Sequence, residues 1–502
     1  MKQQEPSLQV DLECRESDIY CSDNFIDGKW SASQSQKRFD VVDPGSGKIW
    51  ASPPDSVAAD VETAIQSAHK AFQTYSREVP RKRAELILAW HQLILAHKED
   101  LARILVHETG KPLSEAYDEI TYATTFTWWF MGEAERIQGS NIKSATPGRR
   151  AFVIKQPIGP VAALVPWNFP IALCLRKASA ALAAGCTMVV KPSPETPITA
   201  LCLASLALKA GFPPGVLNVV TTSLENTPRV SEAMCTHPLI KKVSFTGSTR
   251  VGKLIAGLCS RSLKKSTLEL GGNCPFIVFE DADLASAASQ LSALKWRHAG
   301  QACITANRVF VQRAIYKEFV AKVVAKASGF VVGHGMNRES TMGPVTTRRS
   351  LIKAEELATD AVAKGAKIIL GSGKPAGRAG FFMEPTVLTG VQDNMLMSVE
   401  EIFAPVLGIS VFDTEEEVVK RANNTSLGLA SYVFTQDADR LWRTLENLEA
   451  GMIGLNTGGS SAAEAPFGGI KESGWGKESG KDVALDEFMV TKTGTLTVKG
   501  HC

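Results

Sequence analysis

Residues 161–190 read VAALVPWNFPIALCLRKASAALAAGCTMVV, and this stretch decides the fold. It opens on an unbroken apolar run, 161–165, the pattern of a strand buried on both faces. A Pro-flanked turn follows, Pro166-Trp167-Asn168-Phe169-Pro170. Ala and Leu then dominate 171–184, a helix that Gly185 closes, and 188–190 begins a second strand. The pattern repeats with strands at 216–220 and 242–245 and a helix at 198–210, closed by Gly211 with Pro213 and Pro214 beyond it. The repeat length is that of a βαβ unit. Consecutive units of this kind build a parallel, Rossmann-type sheet with right-handed crossovers. Ligands bind such sheets outside the carboxyl ends of the strands, which puts the 166–170 turn beside a binding crevice. The sheet alone does not name the ligand.

Upstream, 56–75 and 80–109 have the spacing of amphipathic helices, and Gly110 stops the second. Downstream, strand 275–279, helix 284–296, strand 308–312 and helix 316–327 predict a second α/β domain. Residues 488–498 are rich in Thr and Val and read as a strand, while 333–338 and 371–380 read as surface loops. The fold class is α/β, with two domains and no repeat or low-complexity segment.

The 502 residues, 44% hydrophobic and 21% charged, are enough for several domains with real cores. A formal net charge of +3 gives no reason to expect a nucleic acid or a membrane as partner. The 10 cysteines are scattered without metal-ligand spacing, so they read as reduced thiols of a cytoplasmic protein. Cys174, Cys186, Cys202 and Cys259 lie in small or apolar stretches and read as core. Residues 1–23 are polar and acidic, unlike a signal or transit peptide. The ending Lys499-Gly500-His501-Cys502 matches no targeting or lipidation signal.

Two phosphate-type motifs need weighing. Gly247-Ser248-Thr249-Arg250-Val251-Gly252-Lys253 nearly matches a P-loop, but Leu254 stands where the Mg²⁺-binding hydroxyl belongs. It also follows the fourth strand rather than the first. A glycine turn opening a helix still favours an anion. Gly371-Ser372-Gly373 sits beside Pro375 in a solvated loop and carries no such weight.

Cys303, in Gly300-Gln301-Ala302-Cys303, follows a small-residue approach that lets backbone come near a ligand. The competing reading is a buried structural thiol. Glu269 lies between Leu268 and Leu270, where apolar surroundings would raise its pKa toward that of a base working near neutrality. Thiol and carboxylate together supply a nucleophile and a base.

Four segments occur in order: 166–170, Leu268-Glu269-Leu270-Gly271-Gly272, Gly300-Gln301-Ala302-Cys303 and Glu401-Ile402-Phe403-Ala404-Pro405. Over nearly the whole chain they resemble the NAD(P)-dependent aldehyde dehydrogenase superfamily. The resemblance implies an NAD(P)-binding domain at 1–140 and 155–268, a catalytic domain at 269–480, and an oligomerisation element at 141–154 and 481–502. That element implies a homodimer or homotetramer. Cys303 becomes the nucleophile, Asn168 and the Cys303 N–H the oxyanion donors, and Glu269 the base that hydrolyses a thioester. An amide donor of this kind is worth about 2.7–4 kcal/mol in the transition state. The other reading of Asn168 is a helix cap. Pro166, Trp167, Lys191, Ser193, Gly247, Ser248, Gly252, Glu401 and Phe403 fall to the cofactor, NAD or NADP, and no metal is implied. Lys177 matches a family lysine near the cofactor, against a plain reading as an exposed lysine.

In the family, a Glu three residues after the Lys favours NAD by repelling a 2′-phosphate. Here that position holds Pro194, with Glu195 beside it, so Lys191 and Ser193 are free to take the phosphate and both cofactors stay open. The substrate positions Arg176, Arg297 and Ser461 match the carboxylate-binding set of succinate-semialdehyde dehydrogenases. Fixed guanidinium groups suit a distal carboxylate, although either Arg is also able to serve a structural ion pair. Ala302, Trp296 and His298 depart from the usual residues, and Thr305 stands where many relatives carry a second Cys. Three alternatives follow: an aldehyde dehydrogenase for a different aldehyde, a non-catalytic binding or structural relative, and a CoA-acylating enzyme. Intact Cys303, Glu269 and Asn168 speak against the second, and Glu269 against the third.

Overall fold

The apolar run at 161 forms the wholly buried strand Val161–Leu164. It hydrogen-bonds in parallel to Met188–Lys191 on one side and to Lys242–Thr246 on the other. In this computed structural model, which describes residues 18–499, these strands lie near the centre of an eight-stranded sheet. Its order is Lys29–Ser31, Asn24–Ile26, Leu217–Val219, Met188–Lys191, Val161–Leu164, Lys242–Thr246, Lys265–Glu269 and Gly474–Trp475. From Val161–Leu164 the chain winds outward through Met188–Lys191 to Leu217–Val219, then returns to the other side at Lys242–Thr246. This reversal is a topological switch point, and the crevice it opens lies at the carboxyl ends of Leu164 and Thr246. The residues read from sequence as 1–17 and 500–502 lie outside the described part.

The helix Pro170–Ala184 is buried along all 15 residues, which its small Ala side chains permit, and Gly185 ends it at φ 91°. It packs against Leu113–Glu133, a 21-residue helix that the sequence reading passed over. The expected helix 80–109 is two helices, Pro80–Ala96 and Lys98–Thr109, broken at His97.

A second, seven-stranded sheet runs Lys367–Leu370, Thr386–Thr389, Val406–Phe412, Arg308–Gln312, Pro275–Val278, Ala430–Phe434 and Met452–Leu455. Each sheet has its own apolar core. Glu269 ends a strand of the first sheet and Pro275 begins one of the second, so Leu270 to Cys274 cross between them. Ser140–Lys143, Arg149–Pro157 and Met489–Thr497 form a separate three-stranded ribbon that exposes Ile142, Phe152, Ile154 and Leu496.

One carboxylate ties the helix Lys98–Thr109 to the loop that carries His334. Asp43 Oδ2 accepts from His107 Nδ1 at 3.0 Å and from His334 Nε2 at 3.1 Å, while Oδ1 takes the Gly45 N–H at 2.7 Å. The ligand-type atoms of these three residues lie within 4.8 Å of one another, as in a metal site. The tautomer argues otherwise. Met336 N–H donates to His334 Nδ1 at 3.1 Å, so Nε2 carries the ring proton and has no lone pair for a metal. The cluster is a hydrogen-bonded latch.

Candidate active site

Asn168 lies in the switch-point crevice and is 5% exposed. Its side chain does not cap the helix that follows. The first helical N–H groups, those of Ile171 and Ala172, go to Glu119 Oε1 at 3.0 and 3.2 Å. Asn168 Nδ2 instead donates to Gln301 O at 2.9 Å, beside Cys303. Lys111 Nζ fixes the same residue by donating to Asn168 O at 3.0 Å, and it also pairs with Glu119. The sequence reading missed Lys111 and Glu119. They lie 8 residues apart, but their contacts with Asn168 and Ile171 span 57 and 52 residues, and only the topology makes those.

The loop carrying Cys303 is bent hard. His298, Ala299 and Gly300 have φ of 49°, 50° and 78°, three consecutive left-handed residues of which only one is glycine. Such conformations carry strain. Gly300 is required on space as well, since a Cβ there would stand 2.3 Å from Ala404 O. Gln301 knots the loop. Its Nε2 donates to His298 O at 3.0 Å, and its Oε1 accepts from Thr346 N at 2.9 Å. Cys303 itself is half-buried at the edge of a cavity. Burial pushes its thiol up, the Glu401 carboxylate and other neighbours push the same way, and Arg176 opposes them.

Glu269 is 2% exposed, and neither carboxylate oxygen has a partner. Burial holds its pKa well above the usual carboxylate range, and Glu478 adds to this against Arg176, Lys177 and Lys477. The carboxylate lies against Gly468 and is not part of the wall of the cavity that holds Cys303. Lys177 is not exposed. It is buried among Ser244, Thr246 and Glu478, with Thr246 Oγ1 at 2.7 Å from its Nζ.

On the other side of the crevice lie the residues assigned to a nucleotide. Lys191 is 4% exposed, and its Nζ reaches only Pro192 O at 3.0 Å and Thr227 Oγ1 at 3.5 Å. Burial lowers it to about 8. Glu195 opposes that shift, and its carboxylate also accepts from Ser193 Oγ and pairs with Arg349. Ser248 caps the helix Thr249–Ser260. Gly252 lets that helix press on Leu270, where a Cβ would meet Cδ2 at 2.3 Å. Glu401 accepts from Gly272 N at 3.2 Å, and Phe403 meets the Trp167 ring edge-on at 5.5 Å. A buried, weakly partnered lysine and a glycine-lined helix N-terminus suit an anionic, nucleotide-type cofactor. Pro166 stands in the same turn as Trp167 and Asn168.

The cavity beside Cys303 has a volume of about 790 Å³. Asn168, Arg176, Arg297 and Ser461 line it together with Cys303, so the structure gathers the whole sequence-derived substrate set around the thiol. Arg176 donates Nη2 to Tyr122 OH at 2.7 Å, and Tyr122 OH also bonds to Ser461 Oγ. Its Nε and Nη1 are buried without partners, and its guanidinium stacks 4.0 Å from the Phe467 ring centre. Arg297 lies over Phe169 at 5.3 Å and makes no ion pair with any described residue. Neither arginine is spent on a structural ion pair. Tyr122 went unread because its helix did.

Comparison with known proteins places these observations. The model of the aldehyde dehydrogenase family matches residues 30–494. The 3-sulfolactaldehyde dehydrogenase of Pseudomonas putida is 44% identical, over 96% of this chain and 98% of that one. Succinate-semialdehyde dehydrogenase [NADP(+)] 1 of Schizosaccharomyces pombe is also 44% identical, over 97% of each chain. Among solved structures, succinate-semialdehyde dehydrogenase from Burkholderia pseudomallei superposes with a TM-score of 0.93 at 42% identity, covering 96% of this chain and 98% of that one.

Proposed function

The chain belongs to the aldehyde dehydrogenase family, and we propose that it oxidises an aldehyde bearing a distal acid group, with succinic semialdehyde as the type substrate. The observation that carries the proposal is the Arg176 guanidinium, in no ion pair with a described residue, among the residues that line the cavity beside Cys303. A carboxylate placed there gains charge-assisted hydrogen bonds that a neutral chain end would forfeit. Arg297 and Ser461 share that wall and extend the same recognition.

In this reading the Cys303 thiolate adds to the carbonyl carbon. The Asn168 amide and the Cys303 N–H hold the oxygen as charge develops on it. A bound nicotinamide supplies the two-electron acceptor. Cys303 is left as an acyl thioester, and Glu269, its basicity raised by burial, draws a proton from water so that hydroxide displaces the thiolate and the acid leaves. For this step the Glu269 side chain has to turn from Gly468 toward the cavity. Lys191, Ser193, Gly247, Ser248 and Gly252 serve the adenylate end of the cofactor, and Pro166, Trp167, Glu401 and Phe403 the nicotinamide end. Pairing of Glu195 with Arg349 offsets part of the negative charge near Lys191, which favours NADP over NAD.

The cofactor and catalytic domains, divided as 1–140 with 155–268 and 269–480, meet at this site in the same proposal. The exposed apolar residues of the ribbon support its role in a homodimer or homotetramer. Eight free cysteines among the described residues suit a reducing, cytoplasmic setting. No helix among the described residues is long and apolar enough to cross a membrane.

Initial rates with succinic semialdehyde and with butanal, each with NAD⁺ and NADP⁺, test the reading. A strong preference for the semialdehyde, lost on Arg176→Leu or Arg297→Ala, is the expected result. Equal rates would return the arginines to a structural role. A sulfonate-bearing aldehyde, run alongside, shows which acid group the pocket prefers.

A further inference from the structure

Tyr122 lies in the helix Leu113–Glu133 and lines the cavity beside Cys303, yet no step of the oxidation calls on it. Its hydroxyl joins two other groups of the same cavity wall. Arg176 Nη2 donates to it at 2.7 Å, and Ser461 Oγ is its second partner, across 339 residues of chain. Among the described residues, the guanidinium of Arg176 has no further hydrogen-bond partner. Ser461 likewise makes no other hydrogen bond, through side chain or main chain, with a described residue. Two rings hold the guanidinium, Phe467 at 4.0 Å and Phe126 at 4.9 Å from its central carbon. A ring face offers no preferred direction within the guanidinium plane, so the bond to Tyr122 is what sets the rotation. Phe126 also meets the Tyr122 ring edge-on at 5.1 Å, which steadies the phenol itself.

The donors fix the direction of each bond. A guanidinium donates and cannot accept, so the Tyr122 oxygen accepts from Arg176. The phenolic O–H then has Ser461 Oγ as its one acceptor among the described residues, and donates to it. With a lone pair of Oγ taken in this way, the Ser461 proton is left for a group in the cavity. Bonds in such a chain polarise one another, which strengthens the last donor. We propose that Tyr122 is a positioning residue that sets specificity: it couples Arg176 to Ser461 so that the serine presents its O–H, not a lone pair, to the acid group of the substrate. The inference rests on the reading of Arg176 and Ser461 as the site for that group. A carboxylate or sulfonate oxygen accepts and does not donate, so it fits a serine held in this sense. Without the phenol oxygen the guanidinium keeps its charge but loses its in-plane anchor, and the serine hydroxyl turns freely. Tyr122 has no hydrogen bond to Cys303, Asn168 or Glu269, so the loss falls on binding of the acid group and not on the chemical steps.

The test is a double-mutant cycle of Tyr122→Phe and Ser461→Ala, with initial rates for succinic semialdehyde and butanal at saturating cofactor. Tyr122→Phe should raise KM for the semialdehyde about tenfold and hold its kcat within about twofold. Its preference for the semialdehyde over butanal should fall by the same factor. Ser461→Ala should cost about tenfold in kcat/KM in the wild type and no more than about twofold in the Tyr122→Phe background, because the serine is already unaligned there. Thermal unfolding with and without succinate, an unreactive diacid, gives a reading free of turnover: succinate should raise the melting temperature of the wild type more than that of Tyr122→Phe. Losses that simply add in the cycle, a semialdehyde KM unmoved by Tyr122→Phe, or a kcat that falls alike for both aldehydes would overturn the proposal. A wild type that takes both aldehydes equally would instead remove the acid-group reading on which it rests.

Discussion

Beside the helix Leu113–Glu133, several buried carboxylates and one buried lysine find partners. Lys111 meets Glu119 and Asn168 O, and Glu119 also caps the helix Pro170–Ala184. Glu108 caps the helix Pro197–Lys209 through Ile198 N at 2.6 Å and Thr199 N at 3.0 Å. Around Cys303 the opposite holds. Both oxygens of Glu269, Nε and Nη1 of Arg176, Nζ of Lys295 and both ring nitrogens of His298 are buried without partners. Both sets are almost wholly buried, so the contrast is not a matter of depth. Matched groups hold the shape of the scaffold, whereas unmatched ones wait for something that is not protein. It follows that substitutions on the two sides should differ in sign: stability falls on the first side, and function falls while stability holds on the second.

The largest effect should come from Glu269→Gln, with steady-state turnover reduced by about 10²–10⁴-fold. A burst of reduced nicotinamide stoichiometric with active sites should remain, since the thioester still forms. The raised pKa of Glu269 gives the wild type a rate that climbs with pH as the base deprotonates, and the variant should lose that limb. A lowered melting temperature in Glu269→Gln would break the comparison. Next, Lys111→Met leaves Glu119 as an uncompensated buried carboxylate and should cost about 3–5 kcal/mol in urea unfolding. If it costs nothing, the scaffold side is not held as described. Arg176→Leu should cost about 1.5–3 kcal/mol in kcat/KM for the semialdehyde, leave butanal unaffected and leave the melting temperature in place. The smallest change is expected from Arg349→Ala, which frees Glu195 and should move the NADP/NAD ratio of kcat/KM by about 0.2–1 kcal/mol toward NAD.

Much of this was legible in the sequence. The strand Arg308–Gln312 and the helices Leu284–Trp296 and Tyr316–Ala327 fall where periodicity put them. Cys303, Asn168, Arg176, Arg297 and Ser461 do converge on one cavity. The helix Leu113–Glu133 was missed because it is rich in Thr and aromatic residues, and its partly and fully buried residues do not make one clean stripe. With it went Tyr122 and Glu119. The strands Asn24–Ile26, Lys29–Ser31 and Gly474–Trp475 are two or three residues long, too short for a periodic signal. Lys177 was read as exposed because its partner Glu478 is 301 residues away. The pairing of Glu195 with Arg349 was hidden by a separation of 154 residues. Local pattern reports elements, but it does not report which distant charges an element will meet.

The Asp43 latch has a consequence in time rather than in structure. Its two imidazole contacts close chain segments of 64 and 291 residues. Contacts of such separation pay their loop-closure entropy before they return anything, so they form after the local helices and sheets on either side. Burial opposes ionisation of Asp43, but the two histidines outweigh it and hold the carboxylate well below its usual range. The contribution of the latch is therefore present above the unfolded-state pKa of about 3.9 and fades only as acid titrates the folded form. A bond made late on the folding path is absent from the transition state. Asp43→Asn should therefore leave the refolding rate almost unchanged and show itself as faster unfolding.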